Sequence, residues 1–213
     1  MQNITKDGSL FPHQVGFVGP GAYFDASPSD FLRLSPEQVG VLSASVSQIE
    51  CPLGLTNVLT EIMSPAKTLA MNGASIVAQV GTNWTSLGAA SFDDASAYCD
   101  RMSDVIGVPF ISALLSLGTV MRRNGYARIA LNTTYASADW TMRLSAFFKA
   151  SNFEVVYSGS FADQGLFQAR NLMSDRRGLF PINWAQTSME RVAALAPNVD
   201  SLVVTGIPSF FES

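Results

Sequence analysis

Gly125-Tyr126-Ala127-Arg128-Ile129-Ala130-Leu131-Asn132-Thr133-Thr134-Tyr135 is the stretch that divides the chain and shows how each part is built. Gly125 has the character of a helix-stopping glycine, closing the helix expected after Ser112. Immediately beyond it, Arg128 to Asn132 is a short apolar-rich run ending in hydroxyl residues, the length and punctuation of a strand. A fresh series of strands and helices starts there. The boundary therefore falls between a first α/β half, residues 1–125, and a second, residues 126–213.

Moving outward from this strand, short β-rich runs alternate with longer stretches of helical period, the pattern of βαβ units around a parallel sheet. Strands are expected at Gln14 to Val18, Gly40 to Val46, Ser75 to Val80, Pro109 to Ser112, Arg128 to Asn132, Glu154 to Ser158 and Ser201 to Thr205. Between them, Val58, Leu59, Ile62, Met63, Ala66 and Leu69 recur at helical spacing, with Pro65 expected to kink or divide that helix. Ser91 ahead of Asp93 and Asp94 reads as a cap followed by acids at a helix start, on a helix carrying Tyr98, Met102 and Val105. Thr187 and Glu190 have capping-box spacing and mark the start expected for a later helix.

Composition narrows the function classes. The 213 residues are 47% hydrophobic and only 14% charged, with a formal net charge of −4. That is enough chain and apolar content for a substantial core. Lys and Arg are scattered apart from Arg122-Arg123 and Arg176-Arg177, so no basic stripe is available to neutralise several phosphates, and nucleic acid is not the expected partner. No window is apolar enough to span a bilayer, Met1 to Ser9 is polar, and the reading is a cytoplasmic protein without membrane attachment. Cys51 and Cys99 lie in no metal-binding or redox spacing, and the single histidine, His13, reads as a surface residue, so neither a metal nor a histidine base is expected.

In parallel α/β sheets, ligands gather beyond the carboxyl ends of strands, where backbone N–H groups are presented. Here those ends read Gly19-Pro20-Gly21, Gly81-Thr82-Asn83, Thr133-Thr134-Tyr135 and Thr205-Gly206-Ile207. Such segments suit an anion; they are also ordinary where a strand turns into a helix. None completes a dinucleotide or P-loop pattern, and no nucleophile elbow is present.

Three segments carry a family resemblance: Val77-Ala78-Gln79-Val80-Gly81-Thr82-Asn83-Trp84-Thr85, Arg128 to Tyr135 followed by Arg143, Leu144 and Phe147, and Asp200 to Gly206. In this order they resemble the active-site strands of the arylmalonate decarboxylase, maleate isomerase and Asp/Glu racemase superfamily. The resemblance implies two Rossmann-like parallel-sheet halves with an interdomain cleft, closing over a small carboxylate or dicarboxylate without a cofactor. It places Pro20, Gly81, Thr82, Asn83, Tyr135, Gly206 and Ile207 around the substrate. Thr82 and Asn83 would donate to a carboxylate, Tyr135 would add its phenol, and the backbone near Gly206 and Ile207 would complete an anion pocket that stabilises an enediolate. Tyr135 and Asn83 also have plain structural readings, as a helix-start aromatic and a turn residue.

The chain departs from that pattern at the positions where the superfamily keeps its reactive cysteines, which read Gly81 and Gly206. Glycine supplies neither proton nor thiolate, which disfavours racemisation by two bases and isomerisation through a cysteine adduct. The comparison also implies a second half truncated at Ser213, with apolar surface near Phe210 and Phe211 that a homo-oligomer would cover. The expected activity is that of a decarboxylase or isomerase; the alternative is a non-catalytic carboxylate-binding or assembly member.

Overall fold

The computed structural model describes residues 11–20, 27–35, 38–46, 58–81, 89–134, 138–166, 180–205 and 210–211. Compactness divides the chain into two discontinuous units, Met1–Gly81 with Ser96–Ala113 and Thr82–Ala95 with Leu114–Ser213. This differs from a single cut after residue 125. The difference comes from the helix Ala113–Arg123, whose buried Leu114 and Met121 belong to the same core cluster as Ile129 and Leu131.

In the first unit, β1 (His13–Pro20), β2 (Val39–Val46), β3 (Ile76–Gln79) and β4 (Phe110–Ser112) form a parallel sheet in the order β2-β1-β3-β4. The expected strands are all present, with ends shifted by a residue or two. β1 pairs with β3 from Val15 opposite Ile76 to Val18 opposite Gln79. Around the sheet come α1 (Ser27–Leu34) and α2 (Val58–Met71). Ile62, Ala66 and Leu69 of α2 are buried, as their spacing requires, whereas Met63 is exposed. Pro65 does not divide α2, which continues for another turn and a half beyond it.

Helix α3 (Phe92–Ile106) begins in the second unit and continues in the first. Its start follows the expected chemistry: Ser91 Oγ accepts the Asp94 N–H at 3.2 Å, while the Asp94 carboxylate accepts the Ala90 N–H at 3.1 Å. Asp94 is thus a capping acid. Tyr98 and Met102 are buried; Val105 is exposed, and Ile106 takes the inward position instead.

Helix α4 (Ala113–Arg123) ends as expected at Gly125, whose φ of 71° is the left-handed conformation of a helix-closing residue. The N–H of Tyr126 reaches back to Met121 O at 3.0 Å and that of Gly125 to Arg122 O at 3.0 Å, satisfying carbonyls the helix would otherwise leave open.

The second unit contains β5 (Arg128–Thr133), β6 (Glu154–Ser160) and β8 (Ser201–Thr205) as a parallel sheet in the order β6-β5-β8, with a bulge between Ile129 and Ala130. A short parallel pair joins β7 (Phe180–Pro181) to β9 (Phe210–Phe211), so the phenylalanines expected on an open edge are paired through their backbone. On one face of β5, Ile129 and Leu131 join Leu144, Phe147 and Phe148 of α5 (Ala138–Ala150), with Phe92 and Phe153. On the other, Ala130 packs with Val192 of α6 (Ile182–Leu195) and with Ala196.

Helix α6 starts five residues before the expected cap at Thr187. The buried positions Ala185, Ser188, Val192 and Ala196 form one stripe that already includes the residues before Thr187. Glu190 accepts from Gln186 along the helix, at 3.1 Å, rather than closing a capping box. Among the described residues, no helix is long and apolar enough to cross a membrane.

Candidate functional site

Each sheet reverses direction beside its central strand. In the first, β2 lies on one side of β1 and β3 on the other; in the second, β6 and β8 flank β5 in the same way. At such a reversal the connections leave in opposite directions and open a crevice at the carboxyl ends of the adjoining strands. The crevice-forming strands are therefore β1 with β3, and β5 with β8.

Val18 stands opposite Gln79, and Val80 N–H continues the ladder to Val18 O at 2.9 Å. Pro20 ends β1, where its partner is Val46 of β2, and Gly81 follows two residues beyond the end of β3, both at the carboxyl ends of these parallel strands. Gly19 answers to packing: a Cβ there would lie 2.5 Å from Val80 Cγ2. Gly81 has a φ of 87°, so the chain turns sharply in a conformation that L side chains avoid. Thr82 and Asn83 follow that turn and lie outside the described residues.

In the second unit Thr133 stands opposite Thr205, and Thr134 N–H donates to Thr205 O at 3.1 Å. On the other side, Phe161 N–H donates to Thr133 O at 2.9 Å. The tip of β5 is therefore bonded to both neighbours. Tyr135, Gly206 and Ile207 come next on these strands and lie outside the described residues. Thr133, Thr134 and Thr205 are all buried, and Thr205 Oγ1 has no hydrogen-bond partner among the described residues.

Beneath the β5 tip is a polar group that the sequence did not reveal. Asn132 Nδ2 donates to Ser188 Oγ of α6 at 2.6 Å, and Asn132 Oδ1 accepts from Gln164 Nε2 at 3.1 Å. Arg191 Nη1 donates to Gln164 O at 2.6 Å. The available signal was an asparagine directly after the apolar run Ile129 to Leu131, where a buried polar side chain must find partners.

The remaining reactive side chains have structural surroundings. Burial pushes the Cys99 thiol up from its ordinary range, opposed by a hydrogen bond with Ser112, as expected of an inert thiol. Burial also pushes the Tyr98 phenol up. His13 is exposed, and Cys51 lies outside the described residues. Among the described residues no three His, Cys, Asp or Glu side chains gather to hold a metal ion. A groove of about 590 Å³ runs between the end of β2 and α2, lined by Ser45, Val46, Glu61 and Thr68 among others, and one of about 310 Å³ lies beside α5 and Ser158. Among the described residues, Gly81, Thr133, Thr134 and Thr205 do not line either groove.

Parallel sheets wired alike, with glycine and threonine at their crevice ends, define a parallel-sheet α/β protein. The family model described as arylmalonate decarboxylase matches residues 16–166, and the chain belongs to that family. A curated arylmalonate decarboxylase from Bordetella bronchiseptica is 28% identical over 140 residues, 66% of this chain and 53% of that protein. The match thus spans about half the length of the relative. Among solved structures, arylmalonate decarboxylase superposes with a TM-score of 0.70 at 21% identity, covering 91% of this chain and 78% of that one. A maleate cis-trans isomerase mutant from Nocardia farcinica, carrying a covalently bound succinylcysteine intermediate, gives 0.70 at 13% identity, with 92% and 80% covered. A maleate isomerase mutant from Pseudomonas putida, solved with maleate, gives 0.62 at 14%, with 91% and 87% covered. At these identities the superpositions establish a shared fold.

Proposed function

We propose that the chain binds a small carboxylate or dicarboxylate at its strand ends and acts on it without a cofactor, as a decarboxylase or an isomerase. The pocket comprises Pro20, Gly81, Thr82, Asn83, Tyr135, Gly206 and Ile207. The observation that supports this reading is the register at the two reversals of strand order, Val18 opposite Gln79 and Thr133 opposite Thr205, which sets the strand ends leading to these residues in a chain of the arylmalonate decarboxylase family.

In the decarboxylation, the bond from the α-carbon to one carboxylate breaks, CO₂ leaves, and the electron pair delocalises into the remaining carboxylate as an enediolate. Hydroxyl, amide and backbone donors that tighten as that negative charge develops lower the barrier. Gly81 and Gly206 carry no side-chain acid, so the α-carbon takes its proton from water or from another side chain.

The test is titration of the folded protein with malonates and maleate, followed by assay of CO₂ release from arylmalonates. Saturable binding weakened roughly tenfold by Tyr135→Phe, the cost of one charge-assisted hydrogen bond, is expected. Absence of binding, or binding indifferent to Tyr135→Phe, overturns the reading.

A further inference from the structure

We propose that Asn132 is a positioning residue, clamped by Ser188, Gln164 and Arg191, which fixes the strand tips of the second unit. For its effect on ligand this inference rests on the carboxylate-binding reading above; its effect on the strand tips does not.

The hydrogen bonds described beneath β5 close a ring. From Ser188 on α6 it passes to Asn132 on β5, to Gln164 in the turn after β6, and by way of the Gln164 carbonyl to Arg191, again on α6. Ser188 and Arg191 are three residues apart and occupy neighbouring positions on one helical surface. A single helix therefore holds both the strand and the turn. Both ends of the Asn132 amide are engaged, its Nδ2 by the Ser188 hydroxyl and its Oδ1 by the Gln164 amide.

Asn132 and Ser188 are both 0% exposed. Leucine and alanine would fill those positions as well in a face already made of Ala130, Val192 and Ala196, and a buried polar network gains little net stability over apolar packing. What such a network supplies is a unique geometry, since any slip leaves a buried amide unpaired. The elements it joins are those that lead into the proposed pocket. Thr133 and Thr134 follow Asn132 directly, and the turn Phe161 to Leu166 carries Gln164. That turn is itself fastened by the Asp163 carboxylate, which accepts from Ser160 N–H and Ser160 Oγ at 2.8 Å each.

The experiment compares Ser188→Ala and the double variant Asn132→Leu with Ser188→Ala against Val192→Ala, all in the full chain. Val192 is equally buried on the same helix but outside the ring, so its truncation lowers stability without touching the clamp. Amide hydrogen exchange at Thr134 and residues 161–166 should quicken at least about tenfold in Ser188→Ala beyond any change in Val192→Ala. Malonate or maleate affinity should fall about tenfold in Ser188→Ala, a misplacement effect. The double variant, which removes the Asn132 amide itself, should keep the weakened affinity. Exchange at both segments no faster than in Val192→Ala overturns the inference, as does wild-type affinity in the double variant. If the unaltered protein binds no carboxylate, the proposed function fails and the exchange measurement alone decides the clamp.

Discussion

Gly81 offers a test in which the sign of the result carries the argument. Its φ is 87°, where adding a Cβ costs roughly 1–2 kcal/mol. Gly→Ala also restricts the unfolded chain, which stabilises by about 0.4–1 kcal/mol. The difference leaves Gly81→Ala less stable than the unaltered protein by about 1 kcal/mol, or about 2–4 °C in the melting midpoint for a chain of this length. Gly107 calibrates the measurement, because its φ is 78° and a Cβ there meets nothing within 4 Å. Gly107→Ala reports the backbone cost alone, and urea unfolding of both variants gives the comparison. Gly81→Ala as stable as the unaltered protein or more so, beside a destabilised Gly107→Ala, refutes the left-handed conformation of Gly81. The expected loss has a functional meaning: the glycine at this position answers a backbone requirement, so Gly81→Cys would carry the same strain.

Other expectations follow from single environments. The Asp200 carboxylate accepts N–H groups from Arg128 at 2.7 Å and Ala127 at 2.8 Å, which hold it below the usual carboxylate range. With the folded-state pKa depressed, its contribution is present above the ordinary carboxylate value and lost as pH falls through the folded one. Urea midpoints below about pH 4 should therefore drop less in Asp200→Asn than in the unaltered chain; equal slopes count against the bonds. Gln79 is 1% exposed, and neither amide atom has a partner among the described residues. Gln79→Met should raise stability by roughly 1 kcal/mol, and a loss would show that the amide is paired. The Phe92 ring lies 4.9, 5.7 and 5.8 Å from those of Phe147, Phe148 and Phe153; Phe92→Ala should cost about 3–5 kcal/mol, and a measured loss under about 2 kcal/mol would remove it from the core's centre.

Local chemistry was legible in the sequence, and long-range pairing was not. Ser201–Thr205 and the Ser91 cap needed only neighbouring residues to be read. Pro65 misled because a helix held by Ile62, Ala66 and Leu69 against the sheet outweighs one missing hydrogen bond. Thr187 misled because the inward stripe from Ala185 is polar at Ser188, and Ser188 turns inward where Asn132, 56 residues away, meets it. Gln164 reaches the same asparagine across 32 residues. Periodicity sees apolar stripes; it cannot see which polar side chains will be buried together. The candidate site divides similarly: Pro20 and Gly81 were readable as strand-end residues, while the clamp behind Thr133 and Thr134 required the folded register.

The two sheets repeat one wiring, and that repetition explains why the proposed site depends so little on side-chain acids and bases. In each unit the central strand comes first, the next lies on one side, and a later strand lies on the other, β1-β2-β3 in one and β5-β6-β8 in the other. The same two strand tips therefore mark each crevice, and Gly81 beyond β3 has its counterpart in Gly206 beyond β8. On the proposed reading, the residues at these tips supply hydroxyls, an amide and backbone N–H groups, and no proton-carrying side chain at either glycine. Such a set can hold developing negative charge in place, provided its donors are fixed before the ligand arrives. Turning Gly81 into a left-handed corner and clamping β5 through Asn132 are two separate means of fixing them. On the proposed reading, rigidity of the strand tips does the work that a pair of reactive thiols does elsewhere in the superfamily.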